Sequence, residues 1–180
     1  MTSIYPPQSK AILFLLTSNK KFKEKVIKAF EKLLGPMEVQ SEWHLFEHSH
    51  YYEEELGPGL ERCLISFKKI FKPEKLAELK KLTKKLEHRT SNLEHRTINI
   101  DPGYVDLFKV VLASGKAGGQ KVALSKDVYV YTLLRFEKGK WIPFEWTYPD
   151  FKAPMYHKDL LKIRTSLKRD LSGKIPNPNI

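Results

Sequence analysis

Between Glu38 and Glu61 the chain carries seven glutamates and three histidines, and neither lysine nor arginine. Carboxylate and imidazole are the side chains that hold divalent metals. Glu42, His44, His48 and His50 are therefore the metal candidates, and in an extended strand the three histidines would share a face. Their spacing matches no fixed metal signature. The plainer reading is a solvated loop whose charge is answered by lysines elsewhere, and no cofactor is implied.

A second group is Asn99-Ile-Asp-Pro-Gly-Tyr104. Asp101 is a candidate catalytic acid or base, with Asn99 and Tyr104 beside it as ligand-binding candidates. The same residues also read as a helix start, with Pro102 at the first helical position and Asp101 capping it, and this structural reading is favoured. A third group is Trp146-Thr-Tyr-Pro-Asp150. Trp146 and Tyr148 could line a pocket or stack on a flat ligand, with Asp150 as the acid. Alternatively they close the core and Asp150 bonds turn amides.

Other signatures fail. Ser114-Gly-Lys-Ala-Gly-Gly119 lacks the phosphate-loop pattern and follows a predicted helix, not a strand. Cys63 is the sole cysteine, which excludes an internal disulfide and a cysteine-based zinc site. It falls on the apolar face of a predicted strand and reads as core rather than nucleophile.

The elements that must position these groups read as follows. Ala11 to Leu16 is apolar on both faces, as a central strand is. Phe22, Val26, Phe30 and Leu33 recur at helical spacing up to Gly35-Pro36. Val39 to Phe46 and Leu60 to Phe67 are strands, with an acidic loop over 47–59 between them. Pro73 opens a second helix with Leu76, Leu79, Leu82 and Leu86 as its apolar stripe. Arg96 to Ile100 is the fourth strand. The order β-α-β-β-α-β over 9–100 is that of a ferredoxin-like half. A helix is then expected from Tyr104 to about Ala113, because Val105, Phe108, Val111 and Leu112 share its face. An antiparallel hairpin layer follows, turning at Lys138-Gly139; its strands either extend the first sheet or form a second layer. A last helix runs from about Tyr156 to Leu171, so that helix, hairpin and C-terminal helix fill 101–172, and 173–180 reads as a frayed tail. Leu86-Glu-His-Arg-Thr90 recurs as Leu93-Glu-His-Arg-Thr97, a duplication too short for a repeat fold. The class is α+β, in a single domain over 1–180.

The totals bound the function. At 180 residues the chain can bury its own core. No early apolar run is long enough for a leader or a membrane span, so a cytoplasmic protein without a membrane partner is expected. The net charge is +11, and the excess is shared between both halves. Lysines cluster at 20–32, 68–85 and 158–169, and the first two clusters could merge into one basic surface suited to phosphate backbones. No aromatic RNA-recognition signature accompanies them. The wealth of Lys and Glu and the scarcity of Gln lean towards a thermophile.

Four stretches carry a family resemblance: Tyr51-Tyr-Glu-Glu-Glu-Leu-Gly-Pro-Gly59, Asn99 to Tyr104, Lys126 to Leu134, and Trp146 to Asp150. With them most of the chain resembles the family catalogued as domain of unknown function 4416. That family supplies no established activity, so no residue role transfers. The resemblance favours its own polar and aromatic positions over the histidines, which look peculiar to this chain. It adds Tyr52 and Glu54 as ligand-binding candidates and Lys126, with Asp101 and Asp150, as a catalytic one. The reading is a small-ligand-binding domain, enzymatic or not, whose site lies near 99–104 and 146–150. The alternatives are a nucleic-acid-associated module using the lysine-rich helices, or a non-catalytic interaction subunit.

Overall fold

The computed structural model describes residues 8–47, 50–91 and 96–172. In chain order the elements are β1 (Ser9–Thr17), α1 (Phe22–Leu34), β2 (Met37–Gln40), β3 (His44–Leu45), α2 (His50–Leu56), β4 (Glu61–Phe71) and α3 (Leu76–Thr90). There follow β5 (Asn99–Val105), β6 (Lys109–Ser114), β7 (Val122–Ser125), β8 (Val128–Glu137), β9 (Lys140–Pro143), α4 (Pro149–Lys152) and α5 (His157–Leu171). Among the described residues the fold is mixed, with five helices and one open antiparallel sheet of nine strands. Strand order is β2-β4-β1-β5-β6-β8-β7, with β3 on β4 and β9 on β8. The C-terminal strands thus extend the first sheet instead of forming a second layer.

β1 is central and buried along its whole length, as its continuous apolar run requires. Alternate residues feed two cores. Leu13 and Leu15 join Ile65 and Phe67 beneath Val26 and Phe30 of α1 and Leu76 and Leu79 of α3. Ile12 and Phe14 join Leu64 beneath Leu160 and Ile163 of α5. Burying each such side chain contributes roughly 1.5–3 kcal/mol relative to leaving it in water.

The helix expected over 104–113 is replaced by β5 and β6. The apolar spacing there fits both periods, but the run is rich in valine, whose branched side chain favours the pleated surface. Asp106 makes the turn between the strands. Its Oδ1 accepts from the N–H groups of Phe108 and Lys109, each at 2.7 Å, and its Oδ2 meets Lys109 Nζ at 2.6 Å. Phe108, placed on the expected buried face, sits 71% exposed at the turn. Asp101 is accordingly no helix cap; it lies inside β5 opposite Phe14. The acidic stretch expected as a loop contains α2. The last predicted helix forms as α5. The predicted hairpin turns at Lys138 and Gly139, both with positive φ, as a two-residue turn of matching twist requires. Residues 173–180 lie outside the described residues, as do Leu93, Glu94 and His95 of the short duplication.

β5 explains how Pro102 and Gly103 occupy a strand. β5 pairs with β6 only over Gly103–Val105. Before that point its outer edge meets α3: Ile100 N–H donates to Glu87 Oε1 at 2.6 Å and Lys80 Nζ donates to Ile100 O at 3.2 Å. Backbone groups alternate along a strand, so Pro102 presents its missing N–H to that same outer edge, before pairing with β6 begins. At Gly103 a Cβ would come within 2.2 Å of Val111 O, so only glycine permits β6 to approach.

α3 is turned to make these bonds. It buries Lys80, Thr83 and Glu87 together with Leu76 and Leu79, while Leu82 is left 41% exposed. Of the expected stripe, Leu76 and Leu79 reach the core and Leu86 packs against it, while Leu82 faces away. Burial, the largest influence, raises the Glu87 carboxyl above its ordinary value, against lowering by Lys80, the Ile100 N–H and Arg96. The folded chain therefore holds that proton more tightly than the unfolded chain. The stability it confers is present at acid pH and lost as pH rises through the folded value.

Two outcomes are expected. In urea denaturation, Gly103→Ala should destabilise by about 1–3 kcal/mol through overpacking; an unchanged midpoint would contradict the close approach. The stability of the native chain relative to Glu87→Gln should fall as pH rises above the ordinary glutamate range; a constant difference would contradict the raised carboxyl.

Candidate functional site

A cleft of about 370 Å³ opens where β5 and β6 stop pairing. Continuing the register of Gly103 with Leu112 would set Asp101 opposite Ser114. Both residues line the cleft, without a ladder between them. The chain leaving β6 supplies Lys116 and Lys121, β8 supplies Tyr131, and α2 supplies Tyr52. Tyr148, with Asp150 and Phe151 of α4, closes another side.

Arg62 forms the inner wall. It is 5% exposed, and its guanidinium lies 4.4 Å from the Phe46 ring centre and 4.9 Å from that of Phe151. Flat cation and aromatic faces attract in this arrangement. The guanidinium is ion-paired with Asp150, itself 6% exposed. The bland reading of Asp150, a bond to turn amides, is not what holds it. Thr147 pins the segment instead: its Oγ1 donates to Leu133 O at 2.7 Å and accepts from Phe144 N–H at 2.9 Å.

Asp101 is half-buried. Asn99 Nδ2 donates to its Oδ2 at 2.7 Å, and Lys80 Nζ lies 3.5 Å from its Oδ1. Opposite stands Lys121. Its Nζ donates to Ser114 Oγ at 3.0 Å and to Lys116 O at 3.2 Å, and lies 5.3 Å from the Tyr131 ring centre. Burial, first among the causes, lowers the Lys121 ammonium; Lys116 and Lys80 lower it further and Asp101 opposes. Burial first and Asp101 second push the Tyr52 phenol up to about 12 and raise the Tyr131 phenol too. Both hydroxyls therefore stay protonated and can donate to a ligand.

Tyr52, Asp101, Tyr148 and Asp150 are thus brought together, and Asn99 stands behind Asp101. The other sequence candidates fall elsewhere. Tyr104 packs on the opposite sheet face with the α1–α3 core, where burial pushes its phenol up to about 12. Glu54 is exposed on α2, and Lys126 is exposed in the β7–β8 turn. Trp146 donates from Nε1 to Thr132 O at 2.9 Å and stacks on Phe144. Of the metal candidates, Glu42 is exposed, while the His44 ring stands edge-on to Tyr156 at 5.2 Å. His48 lies outside the described residues, and only the backbone of His50 is described, at the start of α2. Among the described residues no group of three His, Cys, Asp or Glu could hold a metal. Cys63 is wholly buried, and burial pushes its thiol up to about 12.

Arg62, Lys121 and Tyr131 are cleft residues that sequence reasoning passed over. Arg62 had a signal, a cation inside an otherwise apolar strand, which needs a partner when buried. Lys121 had none, because only the end of β6 decides where its loop lies.

A family model described as domain of unknown function 4416 matches residues 7–167. The chain belongs to this family. No curated protein and no solved structure matches it. The matched span contains every cleft residue of this family member, and the family carries no activity to assign to them. Among the described residues no helix is long and apolar enough to cross a membrane.

Removing one partner of a buried ion pair leaves the other charge uncompensated. Asp150→Ala should therefore cost about 3–5 kcal/mol in urea denaturation, and the pair Arg62→Leu with Asp150→Leu should recover much of that loss. A single variant as stable as the native chain would contradict the pairing.

Proposed function

We propose that the protein binds a small molecule carrying an anionic group and a flat apolar body in the cleft between Asp101 and Lys121. One observation carries this reading. Both carboxylates of the cleft are engaged by cations, Asp150 by Arg62 and Asp101 by Lys80, while Lys121 donates to a hydroxyl and a carbonyl, both neutral. The wall at Lys121 therefore keeps positive charge in a partly desolvated setting, where an anion gains more than in water. The rings of Tyr131 and Tyr148, edge to face at 6.3 Å, offer an apolar surface beside it. The Tyr52 and Tyr131 hydroxyls supply donors. This is the mix of apolar wall and few convergent polar groups that small-molecule sites use.

We also read β1, α1, β2, β4, α3 and β5 as a ferredoxin-like unit within a single domain. The order β2-β4-β1-β5, antiparallel throughout, supports the first part; the continuity of the sheet into β6 and β8 supports the second.

Phenyl phosphate, benzoate and inorganic phosphate serve as probes in thermal-shift and calorimetric titrations. At least one ring-bearing anion should raise the melting temperature of the native chain, more than inorganic phosphate does, and Lys121→Met should abolish the effect. Binding should weaken on the alkaline side at a lower pH than an ordinary lysine would set, because Lys121 loses its proton early. No shift with any probe, or an equal shift in Lys121→Met, would sink the proposal.

A further inference from the structure

We propose that the groove between α1 and α3 docks an acidic amphipathic segment of a partner protein. The rotation of α3 that buries Lys80 and Glu87 leaves Leu82 41% exposed, and across the groove Leu33 of α1 is 46% exposed. The two leucines share the floor of two adjoining hollows, of about 570 and 460 Å³. Scattered single leucines on a surface mean little, but two that face each other along a groove form a continuous apolar strip. The rim is cationic. Lys32, Lys85 and Arg89 border the first hollow, and Lys69, Lys72 and Lys75 the second. Among the described lining residues the only carboxylate is Glu78, already joined to Lys75 at 2.8 Å.

The chemistry of this rim and floor selects the partner. Carboxylates would meet the lysines and arginine, and aliphatic side chains would cover Leu33 and Leu82. An amphipathic helix laid in a groove presents such residues three and four apart. Nucleic acid fits less well. Its phosphates would meet the rim, but its bases need exposed rings to stack on, and the rings that line these hollows, Phe30 and Phe71, are buried. The groove lies on the α1–α3 face of the sheet and shares no lining residue with the cleft, so the two proposals stand or fall separately.

The probe is a fluorescein-labelled helical peptide with leucines at helical spacing among glutamates. Comparison peptides replace the leucines by serine or the glutamates by lysine, and a single-stranded oligonucleotide competes. Anisotropy with the full chain should show saturable binding of the acidic leucine peptide alone. Leu82→Glu and the double variant Lys85→Glu/Arg89→Glu should each weaken it by about tenfold or more, while Lys158→Glu on α5 should leave it unchanged. Since Leu82 is already exposed, its variant should keep the native circular dichroism; if it does not, Leu82→Ser takes its place. Absence of binding, or binding indifferent to the Leu82 and Lys85/Arg89 changes, overturns the proposal. So does displacement by the oligonucleotide with Leu82→Glu still at native affinity, which would make this a nucleic-acid surface.

Discussion

Ile100 presents its N–H and C=O to the side of β5 where β6 has not yet begun to pair. A buried backbone amide left without a partner costs about 1–3 kcal/mol. Glu87 and Lys80 of α3 supply the missing acceptor and donor. This exchange of a strand for two side chains organises much of the molecule. It holds α3 across the sheet edge and keeps Lys80 beside Asp101. It also leaves β6 free to part from β5 after Gly103, which opens the cleft. And it leaves Leu82 of α3 facing outward, where it helps to form the groove with α1.

The two surfaces are built from opposite electrostatic arrangements. In the cleft the charges are partly desolvated and arranged in pairs, Arg62 with Asp150 and Lys80 with Asp101, with Lys121 set on neutral acceptors. Water screens such groups little, so geometry decides what fits. In the groove the charged groups are exposed and, but for Glu78, all positive. They act over longer range, are weakened by salt, and suit recognition of an extended acidic partner more than a buried ligand.

The sequence was readable where one period was unambiguous. β1, α1 and α5 are apolar in patterns that fit one structure only, and the positive-φ turn at Lys138-Gly139 was marked by its glycine. It misled where two periods overlap. Val105, Phe108, Val111 and Leu112 fit a helix face as well as a pair of strands, and only the Asp106 turn and the contact at Gly103 with Val111 decide for strands. Asp-Pro-Gly looked like a helix start because proline suits a first helical position and aspartate caps one, yet a strand edge that α3 covers admits the same proline. For the site, Asp101, Tyr148 and Asp150 were named from residue type and turn chemistry, and Tyr52 from the family resemblance. Arg62 was marked only as a cation in an apolar strand, with its partner Asp150 distant in sequence, and no local pattern places Lys121.

Amide hydrogen exchange at Ile100 tests the organising claim most directly. In the native chain this amide should exchange as slowly as the core of β1, and in Glu87→Ala it should speed up by about 5- to 150-fold, the equivalent of 1–3 kcal/mol, while β1 and β4 change less. Fast exchange at Ile100 in the native chain, or exchange unchanged by Glu87→Ala, would contradict the account.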